Sequence, residues 1–460
     1  MAVYDLNQID NLPQLEHVQP VEASVEPQVT QPSARPRKVL SKKGKKILKL
    51  AVLALLVLGL IAEPFLLLGT MEKPISVVES RINEYGELVI YYSDGSSKNL
   101  GTVAHPNSGD HGGDSDVTVA VAKGLCSAVS VWCTFYSKED RADYYTTGSG
   151  VIYQLDKEQG DAFIITNYHL VYDVNSATEK GVAQEIVLYL YGGEIQGKEI
   201  KATYVGGSQN YDIAVLRVED SDILRDSAAM AVTVADSDRV VVGSTAIAVG
   251  NPVGDGISAS YGVISVDSEY INMVAADGKG IVSHRVMRID TPVNHGNSGG
   301  GLFDAQGRLI GIVNAGTTIE DAENIGYALP TSTVTAVADN IIDYCFGKDC
   351  TSVQRAIMGV TVTTVDSSAV YDAVTDTVRI VETVEIYEVS PGQIGSVFKK
   401  GDVLVSVSLG DRTKTITRQH HVIDMMLTAR VGDEAVFEVL RDGKIVALTV
   451  VVTEKCLTAY

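Results

Sequence analysis

The sequence is poor in cysteine and in positive charge, and each shortage excludes a class of protein. Its 460 residues include five cysteines, too few for a disulfide scaffold, and no CxxC or Cys/His spacing typical of zinc sites. The 37 basic residues face 58 acidic ones, and the net charge of −21 would repel nucleic-acid phosphates. A hydrophobic fraction of 45% excludes a wholly disordered chain. We therefore expect a folded protein with no metal, no other cofactor and no nucleic-acid partner.

The first 70 residues differ in composition from the rest. Residues 1–46 are rich in Gln, Pro and Val and end in a basic stretch, which predicts a disordered tail. Residues 47–70 form a mostly apolar run that would be roughly 36 Å long as a helix, enough to cross a hydrocarbon core of about 30 Å. The run predicts one transmembrane anchor with its basic flank in the cytoplasm. A cleaved signal peptide and a buried core helix are the alternatives, but the long preceding segment and the basic flank fit them poorly.

This predicted anchor divides the charge of the chain. Residues 1–50 carry a net charge of +3, whereas the residues after position 70 carry −23. A basic stretch beside a membrane attracts anionic lipid, and the acidic part is repelled from it. We therefore expect a single-pass protein of the cell membrane, with its N-terminus cytoplasmic and everything after residue 70 outside the cytoplasm.

Short strands dominate the chain after the anchor. Residues 71–117 are interpreted as a β-hairpin at 83–101, with Asp94-Gly95 as its turn, followed by a linker. Between about 118 and 330, short runs rich in Val, Ile and Tyr alternate with Gly, Asn and Asp, which indicates a β-barrel or sandwich. The clearest predicted strands are 147–154, 162–166, 185–191, 211–218 and 244–250.

The sequence also predicts a helix after the strands and a small mixed unit at the C-terminus, which contains a second helix. Residues 331–344 carry apolar side chains at helical spacing, with Thr331 or Ser332 as the expected N-cap. Residues 353–460 predict a small α/β unit with a helix near 421–428. Its expected strands lie around Val360 and at 378–384, 402–407, 434–440 and 445–452.

Three residues together suggest nucleophilic catalysis. Ser298 lies within Gly-Asn-Ser-Gly-Gly, where glycines allow a tight turn that aims backbone N–H groups at a developing oxyanion. His169 follows one apolar run and Asp212 precedes another. Each residue alone is ambiguous, because loop histidines, turn aspartates and Gly-Ser turns are common. Their order His, Asp, Ser, at separations of 43 and 86 residues on a short-stranded β chain, is that of chymotrypsin-like enzymes.

The serine segment also fits the G-x-S-x-G elbow of α/β-hydrolases. That fold needs a helix directly after the serine and a histidine later in the chain. The residues after Ser298 instead predict Gly-interrupted strands, and the only later histidines, His420 and His421, lie in the last unit. This alternative therefore fails.

Several motifs in order resemble the HtrA/Deg-type serine proteases: TNYHLV, NYDIAVLRV, AVGNPVG, HGNSGGGL and NIGYALP. RAIMGV and FKKGDVLVSV in the last unit are similar to the corresponding parts of PDZ domains. The resemblance implies a mainly β protein with a chymotrypsin-like double β-barrel at 118–345. A PDZ domain of α/β type at 353–460 would follow, behind the one N-terminal transmembrane helix. The combination looks like the membrane-bound members.

The resemblance also implies roles for individual residues. His169 would be the general base, Asp212 its orienting partner and Ser298 the nucleophile. The oxyanion hole would lie in the segment formed by Gly296, Asn297 and Ser298, with Gly296 and Ser298 donating. The substrate pocket would include Val293, Asn314, Ala315, Gly316, Ile325 and Tyr327, which carry no acidic group and so favour medium-sized apolar side chains. The carboxylate loop of the PDZ domain would be Ile357, Met358, Gly359 and Val360.

Taken whole, the resemblance implies a membrane-anchored, ATP-independent serine endopeptidase that cleaves unfolded or misfolded extracytoplasmic proteins, as in protein quality control and stress response. Its partners would be unfolded substrates and C-terminal peptides, and it would assemble as a homotrimer. A ligand-activated regulatory protease and a peptide-binding scaffold or chaperone with a dormant protease domain remain the alternatives. His295 and Gly301 depart from the usual pattern beside the oxyanion loop, which leaves the conformation of that loop open.

The cysteines allow few pairings. Cys345 and Cys350 are close enough in sequence for a local disulfide, and Cys126 and Cys133 either pair or remain buried thiols.

Overall fold

The computed structural model describes residues 77–82, 87–102, 114–137, 139–178, 180–314, 325–348 and 352–460. The predicted tail and anchor, at 1–46 and 47–70, lie outside these residues, as do Cys350 and the pocket residues Ala315 and Gly316. Among the helices of the described ranges, none is both long enough and apolar enough to cross a bilayer. The chain divides into two compact units, Met1–Ala104 and His105–Tyr460.

In the first unit, three antiparallel strands form one sheet: β1 Val77–Ile82, β2 Glu87–Tyr92 and β3 Ser97–Thr102. The β2–β3 turn is closed by Asp94, whose Oδ1 accepts a hydrogen bond from the Ser96 N–H at 2.8 Å, and by Gly95 at a φ of +82°. A positive φ is easily adopted by glycine. The predicted hairpin is confirmed for β2 and β3, and β1 adds a strand that the sequence reading missed.

The second unit begins with a helix and a closed barrel. The helix α1 is Asp114–Ser127. The barrel has the strand order β4-β5-β6-β9-β8-β7, and every neighbour is antiparallel. Its strands are β4 Ala128–Ser137, β5 Ala142–Asp156, β6 Asp161–Thr166, β7 Glu185–Leu190, β8 Ile200–Ser208 and β9 Ile213–Val218. Alternate residues of β4, among them Val131, Cys133 and Phe135, are fully buried in its interior, as the period of 2 requires.

A second closed barrel follows, with the order β10-β11-β12-β15-β14-β13. Its strands are β10 Thr245–Gly250, β11 Ser258–Val274, β12 Ile281–Ile289, β13 Gly301–Phe303, β14 Leu309–Asn314 and β15 Gly326–Pro330. Closure leaves no strand edge open in either barrel. The strands β11 and β12 are much longer than their neighbours, so their hairpin extends beyond the barrel. Two short helices are also present: α2, Tyr168–Val171, lies in a loop of the first barrel, and α3, Asp222–Asp226, lies in the connection between the two barrels.

Two expectations about helices need correction. The predicted linker at 107–116 is wrong from residue 114 onward, because α1 starts there and packs Val117, Ala120 and Val121 against the core at the i, i+3, i+4 spacing of one helix face. The helix predicted at 331–344 exists as α4, Thr331–Cys345, but its N-cap is Pro330. The hydroxyl of Thr331 instead donates to the Ala235 carbonyl at 2.7 Å, so it does not cap the helix.

The C-terminal module, residues 353–460, is a six-stranded antiparallel sheet with the main order β17-β18-β19-β21-β22, accompanied by a helix and a separate two-stranded sheet. Its elements are β16 Gln354–Ala356, β17 Val360–Asp372, β18 Thr377–Val389, β19 Val403–Leu409, β20 Arg412–Thr415, α5 His420–Leu427, β21 Glu434–Arg441, β22 Lys444–Val451 and β23 Leu457–Ala459. The strand β20 pairs with β19, and β16 with β23. In the sheet, β17 has a single neighbour, β18, and so lies at an edge.

Three cysteines of the described residues, Cys126, Cys133 and Cys456, are free. The sequence allowed Cys126 and Cys133 either to form a disulfide or to remain thiols, and in the structure both are thiols. Burial raises the pKa of the Cys133 thiol to about 12, so this side chain behaves as a small apolar core residue.

The helix α4 contacts β8 and β9 of the first barrel and β14 and β15 of the second, so its packing should stabilise their union. We expect Ile341→Ala, at a fully buried position of α4, to lower the free energy of unfolding by about 2–5 kcal/mol. The matched control is Ile195→Ala at a position that is 94% exposed, where the change should stay within about 0.5 kcal/mol. Denaturant unfolding of the two variants measures the difference, and equal losses would contradict the packing role of α4.

Candidate active site

The first barrel presents His169 at its rim. The strand β6 ends at Thr166, and the single turn of α2 then carries His169 outward while Leu170 and Val171 remain buried below it. Asn167, fully buried at the start of this turn, donates from Nδ2 to the backbone carbonyl of Asp212 at 2.8 Å. This hydrogen bond joins the loop after β6 to the loop before β9.

Asp212 holds the histidine by two atoms. Its Oδ2 lies 2.8 Å from His169 Nδ1, and its Oδ1 accepts the His169 backbone N–H at 2.9 Å. The Asn314 amide donates to Oδ2 at 3.1 Å, so Asn314, predicted as a pocket residue, also fixes the carboxylate. Asp212 adopts a φ of +50°, a conformation that Asp tolerates better than most residues. The backbone turn and three hydrogen bonds thus determine where this carboxylate lies.

The environment of His169 suits a base. Burial would by itself lower the pKa of the imidazole, but the Asp212 carboxylate outweighs that effect and raises the pKa above 6.5. Since the Asp212 carboxylate accepts a hydrogen bond from Nδ1–H, the neutral ring has its free lone pair on Nε2. That nitrogen is therefore the atom available to accept a proton.

Ser298 lies on a tight loop between β12 and β13 and is 4% exposed. Gly296 has a φ of +96°, and a Cβ there would come within 2.2 Å of the Asn251 carbonyl oxygen, so this position requires glycine. The Asn297 N–H donates to the Asn294 carbonyl at 3.0 Å, so Asn297 lies in the predicted oxyanion segment without being a donor. Among the described residues, the N–H groups of Gly296 and Ser298 have no acceptor, which leaves both free to bind an oxyanion.

A cleft of about 350 Å³ brings these groups together. His169, Asp212 and Ser298 line it with Gly296 and Asn314. No hydrogen bond joins Ser298 Oγ to another described side chain in this conformation. Catalytic hydrogen bonds are often long before substrate binds, so this does not weaken the arrangement as a nucleophile and its base.

Sequence reasoning missed one wall of this cleft. The projecting β11–β12 hairpin contributes a set of side chains of which most are apolar: Met273, Val274, Ala276, Val282 and His284. His284 is 4% exposed, and its buried Nδ1 has no partner in the described part of the chain. Burial lowers the pKa of His284, so the ring is neutral. No motif marks this wall, since it arises from the length of two paired strands.

The predicted specificity pocket is partly described. Val293 lies close to Gly326, where an added Cβ would be 2.6 Å from Val293 Cγ2. Ile325 packs against the core cluster, and Tyr327 is buried within it. These side chains offer no negative charge. His295, one of the noted departures, is exposed at the cleft, and its carbonyl accepts the Val253 N–H at 2.7 Å.

The predicted carboxylate loop of the C-terminal module is also described, with one correction. The Ile357 N–H donates to the Cys456 carbonyl at 2.8 Å, so it cannot bind a ligand. The carbonyls of Met358 and Gly359 accept bonds from Gly395 and Ser390, whereas the N–H groups of both have no acceptor among the described residues. The loop ends at the open edge of β17.

Comparisons with known proteins agree with this geometry. Residues 148–312 match a trypsin-like peptidase domain. The chain is 30% identical over 321 residues to the serine protease Do-like HtrA of Lactococcus lactis subsp. cremoris, covering 67% of this chain and 71% of the relative. The chain belongs to the HtrA family of serine proteases. It is therefore a serine endopeptidase with a mainly β, trypsin-like fold, as the sequence predicted.

Other HtrA-type proteins are similar as well. The periplasmic pH-dependent serine endoprotease DegQ of Escherichia coli is 28% identical over 306 residues, covering 65% of this chain and 57% of DegQ. The solved structure of the HtrA-type protease AlgW with a tripeptide is 25% identical, covers 75% of this chain and 98% of its own, and superposes with a TM-score of 0.45.

Asp212→Asn tests the electrostatic role of this carboxylate in the HtrA-type protease. We expect kcat/KM to fall about 10³–10⁴-fold, because the amide favours the wrong tautomer of His169. Wild-type activity should rise with pH through an apparent pKa above 6.5, because His169 must be neutral to act as a base. In the variant this limb should move to lower pH, since the charge that raises the pKa is gone. Asp442→Asn, at an equally positive φ of +53°, is the control and should change neither quantity.

Gly296→Ala tests the oxyanion loop. The added methyl group cannot fit beside the Asn251 carbonyl, so the loop must move, and we expect kcat/KM to fall by about 10²–10³-fold. Gly192→Ala is matched, because Gly192 also has a positive φ of +74° but no atom within 4 Å of the added carbon. Full activity of Gly296→Ala in steady-state kinetics would contradict the assignment of this loop.

Proposed function

We propose that His169, Asp212 and Ser298 carry out peptide hydrolysis in this protease. Ser298 Oγ attacks the peptide carbonyl while His169 Nε2 takes its proton, and Asp212 stabilises the imidazolium. The oxygen that becomes negative accepts hydrogen bonds from the Gly296 and Ser298 N–H groups. His169 then protonates the leaving amine, and water hydrolyses the acyl-enzyme by the reverse sequence. One observation supports this proposal most directly. Both carboxylate oxygens of Asp212 bind His169, one at the ring and one at the backbone N–H, in the same cleft as Ser298.

The residue before the cleaved bond should be apolar and of medium size. Val293, Ile325 and Tyr327 supply apolar surface, with Asn314 at the catalytic carboxylate, and none of them offers a charge to a lysine or arginine. A buried cation without a counter-charge would be costly in such a pocket. Ala315 and Gly316 are assigned to this proposed pocket from the sequence resemblance alone.

We also propose that residues 353–460 form a PDZ domain that captures C-terminal peptides, behind a protease domain that ends near residue 345. An extended peptide would pair with the open edge of β17, as strand-adding domains do. The peptide carboxylate would accept hydrogen bonds from the N–H groups of Met358, Gly359 and Val360. The free N–H groups of Met358 and Gly359 support this assignment.

The surroundings of the protease are inferred from its sequence. We propose that residues 47–70 anchor a single-pass protein with a cytoplasmic N-terminal tail, residues 1–46, so that the protease works outside the cytoplasm. The scissile bond must lie in the cleft between the two barrels, and only an extended peptide segment fits there. Unfolded proteins expose such segments, whereas folded proteins do not. The proposed role is ATP-independent degradation of unfolded proteins by a homotrimer.

The experiment uses the full chain in detergent micelles with reduced casein as substrate and no nucleotide. Wild-type protein should degrade casein, with cuts mapped by mass spectrometry after medium-sized apolar residues, and Ser298→Ala should show no cleavage. Preferred cleavage after Lys or Arg would reject the pocket assignment. Intact casein with the wild type, with and without added peptide, would reject the degradative role.

One observation favours a second function, that of a protease activated by a ligand. Ser298 Oγ is not hydrogen-bonded to His169 in this conformation, and a protease of this second kind would form that bond only once its ligand is bound. The same casein assay with added C-terminal peptides distinguishes the two. Unchanged rates support constitutive degradation, whereas a rate that increases at least tenfold supports ligand activation.

A further inference from the structure

A buried polar cluster lies where the second barrel meets the C-terminal module. The barrel contributes Asp238, from the turn before β10, and Arg285 from β12. The module contributes His420, His421 and Asp424 from α5 and Lys414 from β20. All these side chains are at most 10% exposed except Lys414, which is 28% exposed. The serine chemistry makes no use of this cluster.

The two histidines converge on Asp238. His420 Nε2 lies 3.7 Å from Oδ1, and His421 Nε2 lies 3.8 Å from Oδ2. The three potential ligand atoms all lie within 4.8 Å of one another. Around a tetrahedral Zn²⁺ with bonds of about 2.0–2.1 Å, ligand atoms are about 3.3 Å apart. Side-chain movements on the order of 1 Å would therefore close this set around one ion.

The outer contacts of His421 allow a metal on its other ring nitrogen. His421 Nδ1 accepts a hydrogen bond from the Thr417 N–H at 3.3 Å and also lies 3.2 Å from the Thr415 carbonyl. A metal on Nε2 would select the other tautomer, whose Nδ1–H donates to Thr415 in exchange for the bond from Thr417 and makes the usual outer hydrogen bond of a ligating histidine. The rings of His420 and His421 are both buried, and a neutral imidazole keeps one nitrogen lone pair with which it can bind a metal.

Two cations already bind Asp238, and only one of them needs to leave. Arg285 bonds Asp238 at 3.0 Å and also pairs with Asp424, whereas Lys414 bonds Asp238 at 2.6 Å from a more exposed position. The carboxylates of Asp238 and Asp424 face these two cations and are formally neutralised by them. A divalent ion would therefore compete with the Lys414 ammonium for Asp238. A cavity of about 360 Å³, lined by Asp238, Lys414 and His421, provides the route.

We propose that Asp238, His420 and His421 form a binding site for one divalent transition-metal ion of the Zn²⁺ type, which fastens the C-terminal module to the second barrel. Two imidazoles and a carboxylate suit Zn²⁺, with water as the fourth ligand, and do not suit Mg²⁺ or Ca²⁺. The sequence predicted no metal site because its ligands are not local: Asp238 and His420 are 182 residues apart.

The test is metal binding to the full chain in detergent, after chelator treatment, by calorimetry with Zn²⁺ and by visible absorption with Co²⁺. We expect one ion per chain at this site, lost or weakened at least tenfold in Asp238→Asn, His420→Gln and His421→Gln. Asp411→Asn, on the β19–β20 turn of the same module, is the matched control and should bind like the wild type. The other histidines and cysteines are unchanged in all variants, so differences report this site.

Lys414→Met provides the decisive comparison, because it removes the competing cation and leaves all three ligands in place. We expect it to bind Zn²⁺ at least threefold more tightly than the wild type. Equal binding by the wild type and His421→Gln, or weaker binding by Lys414→Met, would overturn the proposal. Thermal unfolding with chelator present checks that each variant is folded, and Zn²⁺ should raise the Tm of the wild type but not of His421→Gln.

Discussion

Ser149, a fully buried residue of β5, fixes the position of the first barrel relative to the loop that carries the nucleophile. Its N–H donates to the Ser298 carbonyl at 2.8 Å, and its hydroxyl donates to the Gly296 carbonyl at 2.6 Å while accepting the Asn251 N–H at 2.7 Å. The barrel that carries His169 and Asp212 is thereby hydrogen-bonded directly to the loop that carries the nucleophile. Each bond contributes about 1 kcal/mol, but a buried group left unpaired costs more, so the loop has few alternative positions.

Further contacts join the other parts of the second unit. The helix α4 packs against both barrels, and the cluster around Asp238 holds the C-terminal module against the second one. Arg285, the barrel residue of that cluster, directly follows His284 of the cleft wall along β12. The module is therefore attached to the strand that forms one side of the active-site cleft. A metal at Asp238 would reinforce this attachment without touching the catalytic groups.

Much of this arrangement was predictable from local sequence. The barrel strands, α4 and the order of His169, Asp212 and Ser298 all rest on periodicity or on short motifs. What could not be predicted depends on backbone hydrogen bonds and on distant pairs. The N–H groups of Asn297 and Ile357 donate hydrogen bonds to backbone carbonyls, and no sequence motif predicts these bonds. The role of Asn314 beside Asp212 and the convergence of His420 on Asp238 join residues more than 100 positions apart. α1 was missed because its start lies in a polar, Gly-rich stretch that resembles a linker.

The central claim is that Ser298 is a nucleophile activated by its neighbours, and covalent labelling measures this without assuming a substrate. A fluorophosphonate reacts only with a serine whose oxygen is made nucleophilic by a base and whose adduct is stabilised by an oxyanion hole. With the full chain in detergent, mass spectrometry should locate one adduct on the peptide that contains Ser298, and none on Ser298→Ala. An unlabelled Ser298 both with and without added C-terminal peptide, or equal labelling of the two proteins, would contradict the account.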